Sequence, residues 1–409
     1  MPPAGEHYDR LEIRPASSRR KAEARALARQ VAHAKAHSPY YRALLEKIDP
    51  ADITSRKALA QLPVTRKSAL AQRQRDLPPL GGYQGLALER VGRFYQSPGP
   101  VYEADERRPD HWRFARSLWA AGMRPGELIH NSFSYHLTPA GNMVESAAEA
   151  LACPVFPGGV GNTELQLQAM MDLRPAAYCG TPSFLKILLD KGRELGRDLS
   201  SVKKALVGGE ALPPSLRAEF ADRGVAVFQN YGTADLGLIA DEGVIVEIAR
   251  PDNGEPLPDG EVGEVLVTVL GNDVYPLLRF ATGDLSAILP GASPCGRTNR
   301  RLRGWLGRAD QATKVKGMFV VPAQIAQVLA RHPEVRKARL DVSSENNADV
   351  MTLHCEVDAD RHSSAAIALA AAIAETVQSV CKVRGHVEIV APGSLPNDGK
   401  LIADLRKYN

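Results

Sequence analysis

Between residues 126 and 233 strand-like and helix-like runs alternate without interruption, and no other feature restricts the possible folds as much. "GELIHNSF" reads as a strand, "AGNMVESAAEAL" as a helix, and "CPVFPGG" as a short strand ending in glycines. "NTELQLQAMMDLRP" then reads as a helix, "AAYCG" as a strand and "TPSFLKILLDKGRELG" as a helix. "VKKALVGGE", "PPSLRAEFADRG" and "VAVFQNYGT" continue as strand, helix and strand. Such a run predicts a mostly parallel sheet covered by helices. Parallel sheets bind ligands at the carboxyl ends of their strands, which here carry the turns "FPGGVGNT", "VGGEALPP" and "NYGTADLG".

The flanks differ. The first 80 residues read as helices joined by loops, with Ser38 as an N-cap before Pro39 and Thr65 in the same role before "RKSALAQRQRDL". From residue 251 the texture is β-rich. After "GWLGRADQATKVKG" a helix (322–332), two strands (337–343 and 349–358), a second helix (363–380) and a strand (386–390) are expected. With 409 residues the chain is too long for one simple core. The expected fold class is α/β: a large N-terminal domain (1–306) of parallel and mixed sheets covered by helices. A hinge (307–310) would join it to a small C-terminal α+β lid domain (311–409).

Composition removes several alternatives. No apolar run of about 18 residues suggests a membrane span, and the N-terminus lacks a secretory pattern. The five cysteines are scattered, as in a reduced, cytoplasmic protein. Residues 1–76 hold 16 Lys/Arg against 8 Asp/Glu, but no aromatic platform interleaves them. They read as a solvated helical face, so neither nucleic acid nor membrane is an expected partner.

Four segments can carry chemistry. "NYGTAD" (230–235) is either an ordinary turn or a nucleotide contact, in which Tyr231 stacks on a base, Gly232 and Thr233 approach a phosphate, and Asp235 holds Mg²⁺. "RFATGDL" (279–285) offers Asp284 as a tight-turn residue or as a ribose acceptor. "GRADQATKVKG" (307–317) places Arg308 and Asp310 at the domain boundary. "LPNDGK" places Lys400 after a glycine turn, as a solubility feature or as a cation for a phosphate.

In this order the segments resemble those of the adenylate-forming enzymes, and within them the phenylacetate-CoA ligase branch. "HSPYYRALL" and the stretch from "NSFSYHLTPAG" to "YCGTPSFL" resemble that branch in particular, and the likeness runs from about residue 31 to the end. It implies a two-step reaction: a small carboxylic acid and ATP give an acyl-adenylate, and a thiol of coenzyme A or of a carrier-protein phosphopantetheine then displaces AMP. Tyr231 would stack on adenine beside Gly209 and Glu210, with Gly232 and Thr233 at the α-phosphate and Asp235 on Mg²⁺. Asp284 and Arg308 would bind ribose, Asp310 would be the pivot, and Lys400 would contact carboxylate and α-phosphate oxygens. Tyr135, Phe156, Gly158, Gly159 and Asn230 would line the acyl pocket, although Tyr135 reads equally well as a core aromatic. Gly317 would flank the pantetheine path. An aryl or arylacetic acid is the expected substrate, and an acyl carrier protein and a homodimer are further expectations.

Departures from the family pattern bear on activity. The glycine-rich phosphate loop ending in lysine is replaced by "YQSPGPVYEADE". Ser97 and Gly99 survive, but Pro98 and Pro100 supply no N–H and no lysine follows. Glu103, Asp105 and Glu106 add negative charge, so weakened ATP binding is expected. Asp235 replaces a longer glutamate. The segment after it lacks the Cys and His of a structural zinc site, leaving only Cys295, and no zinc is expected. These departures keep two alternatives open: an adenylate-binding homologue that has lost ATP activation, and an adenylate-dependent amide or N–N bond-forming ligase.

Overall fold

The computed structural model describes residues 7–97, 101–210, 212–230, 240–311, 313–315, 318–345, 348–358, 360 and 362–406. The chain divides into two compact units. One comprises Met1–Glu261, Leu266–Thr282 and Ala287–Gly304, and the other Val262–Val265, Gly283–Ser286 and Trp305–Asn409.

The alternating region of the first unit forms a five-stranded, wholly parallel sheet. Its spatial order is Val155–Pro157, Ile129–Asn131, Ala177–Gly180, Lys204–Val207, Ala226–Gln229. The strands are only three or four residues long. Their burial explains the near-absence of polar alternation: all four residues of Ala177–Gly180 are buried. Helices Ala140–Ala150, Thr163–Leu173, Pro182–Glu194 and Pro214–Asp222 connect them. Helix Pro182–Glu194 starts where Thr181 Oγ1 accepts from Phe184 N, with Pro182 at the first position. Two apolar clusters hold these layers. One lies around Leu118, Ile129 and Val144, the other around Leu167, Leu185 and Phe220.

The N-terminal helix Ala16–His37 precedes the short helix Pro39–Leu44, which Ser38 caps from its Oγ. Thr65 does not repeat that role. It lies on the strand Thr65–Arg66, paired in parallel with Phe280–Ala281, and helix Leu70–Asp76 starts without a side-chain cap. A hairpin, Val91–Ser97 with Val101–Glu106, holds the "FYQSPGPVYEADE" stretch. Gln74 fastens its outer edge through both backbone groups of Tyr102, and Gln96 N donates to Leu137 O on its other side.

In the second unit Lys337–Glu345 and Ala348–Glu356 form an antiparallel pair, flanked in parallel by Ile402–Asp404 and His386–Val390. Helices Pro322–Leu329 and Ser364–Cys381 supply Ile325, Ile373 and Val377 to a core shared with Leu340 and Leu353. Helix Ser364–Cys381 is, among the described residues, the one long and apolar enough to cross a membrane. Its Ala366, Ile373, Val377 and Cys381 belong instead to this core.

Two neighbours before helix Ala115–Ala120 titrate abnormally. Burial, with help from Arg108 and Arg113, pushes the His111 imidazole down to about 3, so it stays neutral. Burial pushes the Asp110 carboxyl up to about 6, against the bonds it accepts from Ala115 and Phe114. The signs are opposite. Stability from His111 is full above its unfolded value and is lost as pH falls; that from Asp110 is full at low pH and is lost as pH rises through about 6. Relative to wild type, His111→Asn should therefore gain about 1.4 kcal/mol per unit as pH falls from 6 to 4. Asp110→Asn should gain on the wild type as pH rises over that window. Urea unfolding at several pH values reads both, and parallel curves for wild type and variant would rule the account out.

Candidate active site

The carboxyl ends of three adjacent strands open onto one cavity of about 600 Å³. Thr181 follows the first strand, Gly208 and Gly209 the second, and Asn230 the third; all four line it. The backbone explains these residue types. Gly208 N donates to Gly180 O, and a Cβ on Gly208 would lie 2.2 Å from Asn230 Oδ1. Gly209 has φ +77°, which favours glycine. Asn230 N donates to Val207 O at 2.9 Å, while its side-chain Oδ1 is buried without a hydrogen-bond partner among the described residues. An orphaned acceptor beside glycine backbone fits a ligand that supplies an N–H and needs close approach to the chain.

The rest of the wall is mostly apolar. Leu70, Trp112, Phe114, Phe133, Met143 and Phe280 contribute to it, and the hairpin adds Ser97, Val101, Glu103 and Ala104. Of the three carboxylates that follow the loop, only Glu103 lines this cavity. Asp105 is buried and accepts from Tyr95 Oη at 2.8 Å, and Glu106 pairs with Arg90 at 2.6 Å and Arg108 at 3.3 Å. The negative charge expected at this turn is thus largely committed to neighbours.

The remaining sequence-predicted residues are distributed as follows. Glu210 does not line this cavity and accepts instead from Ser183 Oγ at 2.9 Å. Tyr135, Phe156, Gly158 and Gly159 do not line it either. Tyr135 Oη accepts from Asn131 Nδ2 at 2.8 Å, and burial raises its pKa. Phe156 stacks on His130 with ring centroids 5.2 Å apart. Gln166, which the sequence did not single out, pins the glycine turn: its Nε2 donates to the carbonyls of Gly159 (2.9 Å) and Gly161 (2.7 Å). Its Oε1 accepts from His130 Nε2 and Ser132 Oγ. The amide therefore fixes the 158–161 turn to the sheet. Gly99, Tyr231, Gly232, Thr233, Asp235 and Gly317 lie outside the described residues.

In the second unit Asp284 is buried, and its Oδ1 accepts from Arg308 Nη1 (3.2 Å) and Trp305 Nε1 (3.1 Å). Gly283 has φ +78°, a conformation that favours glycine, and a Cβ there would stand 2.6 Å from Arg308 Nη2 and displace the end of that side chain. The backbone of Asp310 belongs to the 3₁₀ turn Ala309–Gln311. Lys400 is exposed at the end of a turn that other residues hold firmly. Its N donates to Asp398 Oδ1, Asp398 pairs with Arg339 at 2.7 Å, and Leu401 N donates to Gln311 Oε1 at 3.2 Å. The lysine turn and the expected pivot are thus joined through Gln311.

Comparison with known proteins agrees with this architecture. Residues 147–272 match the AMP-binding enzyme family and residues 317–405 its C-terminal domain. The phenylacetate-coenzyme A ligase of Thermus thermophilus is 31% identical, over 97% of this chain and 99% of that one. The Escherichia coli (strain K12) enzyme of the same name is 29% identical over 91% of this chain and 92% of its own. Among solved structures, an open conformation of 2-hydroxyisobutyryl-CoA ligase in complex with 2-HIB-AMP and CoA superposes with a TM-score of 0.86. It has 26% identity and covers 99% of this chain and 96% of that one. The fold and these relatives define an AMP-binding, adenylate-forming enzyme. Within that class the chain belongs to the phenylacetate-coenzyme A ligase family.

Proposed function

We propose that this chain is an AMP-forming acid–thiol ligase acting on an aryl or arylacetic acid. The observation that carries the reading is the cavity in which strand-end glycines and Asn230 Oδ1, unpartnered among the described residues, share one space with apolar side chains. Backbone approach and a free acceptor suit a nucleotide, and Phe114, Phe133 and Met143 suit an apolar acyl group. Asp284 and Arg308 are proposed for the ribose, and Thr233 and Asp235 for the α-phosphate and its Mg²⁺. In the first step a carboxylate oxygen attacks the α-phosphorus of ATP and pyrophosphate leaves. In the second, the thiolate of CoA attacks the acyl carbonyl and AMP leaves; a carrier-protein phosphopantetheine would present the same nucleophile. Negative charge grows at the α-phosphorus in the first step, and Lys400 is the cation proposed to stabilise it.

A second reading, an adenylate-binding homologue without ATP activation, draws on one sequence feature and one structural one. Pro98 and Pro100 offer no N–H to phosphates, and the Glu103 carboxylate stands on the cavity wall. Calorimetry separates the two readings. The ligase reading predicts that Mg-ATP binds at least as tightly as AMP; AMP binding with much weaker ATP binding would favour the homologue.

A further inference from the structure

We propose that Glu103 is a specificity-determining residue of the acyl pocket, selecting acids whose aryl or arylacetic tail carries an amino or hydroxyl hydrogen-bond donor. The inference rests on the cavity serving as the acid site of the proposed ligase. Its starting point is a contrast. The cavity wall is mostly apolar, and Lys67 and Glu103 are the charged side chains among its described lining residues. Glu103 reaches the wall because Val101–Glu106 pairs antiparallel with Val91–Ser97, which sets Glu103 opposite Tyr95. Clamps on both edges of the hairpin, Gln74 on Tyr102 and Leu137 on Gln96, hold that register. The next two carboxylates, Asp105 and Glu106, are engaged with Tyr95 and with arginines.

A carboxylate on an apolar wall is unfavourable unless something donates to it. Burial pushes the Glu103 carboxyl up, while the Ser97 hydroxyl and the Lys67 charge pull it back down. Ser97 Oγ donates to the Val101 carbonyl at 3.3 Å, so among the described residues a shared hydroxyl and one neighbouring cation leave acceptor capacity on a group with two oxygens and about four lone-pair sites. A substrate amino or hydroxyl group can use that capacity, and the unsubstituted acid leaves it unused. The difference between a satisfied and an unsatisfied hydrogen bond to a charged group corresponds to roughly 10- to 100-fold in affinity.

The test is calorimetric binding to the full chain of phenylacetate, of 3- and 4-aminophenylacetate and of 3- and 4-hydroxyphenylacetate. The wild type should bind at least one donor-bearing acid about 10-fold or more tighter than phenylacetate. Glu103→Ala should bring that ratio close to one, and Glu103→Gln, whose amide oxygen still accepts, should lower it in part. Equal binding of all five acids by the wild type, no binding of any, or an unchanged ratio in both variants would overturn the proposal. The wild-type ratio decides the matter even if a variant folds poorly. The outcome is separable from the ligase reading. A donor preference without pyrophosphate release supports Glu103 and sinks the ligase, whereas adenylation that ignores the donor does the reverse.

Discussion

Replacing Arg279 with alanine is expected to destabilise the first unit by about 3–5 kcal/mol, the largest effect anticipated for a single substitution. Arg279 is 2% exposed. Its guanidinium donates to the carbonyls of Ala60 (2.9 Å), Leu62 (2.8 Å) and Gly254 (2.6 Å), and its Nε donates to Glu247 Oε2 at 3.2 Å. Glu247 is 5% exposed, and burial pushes its carboxyl up against the pull of Arg279. Alanine leaves a buried carboxylate and three carbonyls without their donor. Arg279→Lys should recover only part of the loss, because an ammonium cannot span the fork of acceptors. A double Glu247→Leu, Arg279→Met variant should lose less than Arg279→Ala, since no buried charge remains, though the three carbonyls stay unmet. Urea unfolding checks all three, and a loss below about 1 kcal/mol for Arg279→Ala would show that the cluster contributes no more than a surface pair.

Lys400→Ala is expected to reduce acid-dependent adenylation on the order of 100- to 1,000-fold, as for loss of one preorganised charge at a transition state. Folding should be unaffected, because Lys400 is exposed and Asp398, Arg339 and Gln311 hold its turn through other atoms. Thioester formation from a chemically prepared acyl-adenylate and CoA should survive, since the charge at phosphorus has by then been passed. Quench-flow assays of the two half-reactions separate these effects. Equal losses in both steps, or in neither, would contradict the assigned role.

The parallel sheet and the small α+β unit were legible because their signals are local. The helix expected at 363–380 is Ser364–Cys381, and the strand expected at 386–390 is His386–Val390. Thr65 failed as a cap because a partner more than two hundred residues away, Phe280, recruits it into a strand. Local sequence cannot announce such a partner. The same applies to Arg279, which reads only as the first letter of "RFATGDL" but fastens Ala60, Leu62, Gly254 and Glu247 together. Gln166 was invisible because a glutamine in a helical run is unremarkable until it is seen buried against a glycine turn. In the hairpin the sequence showed three carboxylates. Pairing and neighbouring arginines then separated Glu103, on the cavity wall, from Asp105 and Glu106, which are already partnered.

Acid-dependent pyrophosphate release from Mg-ATP tests the central claim most directly. Purified protein should release pyrophosphate only when a suitable aryl or arylacetic acid is present, and AMP should then appear in step with the CoA thioester. Absence of acid-dependent release across a broad panel of carboxylic acids, in protein that still binds AMP, would contradict the account.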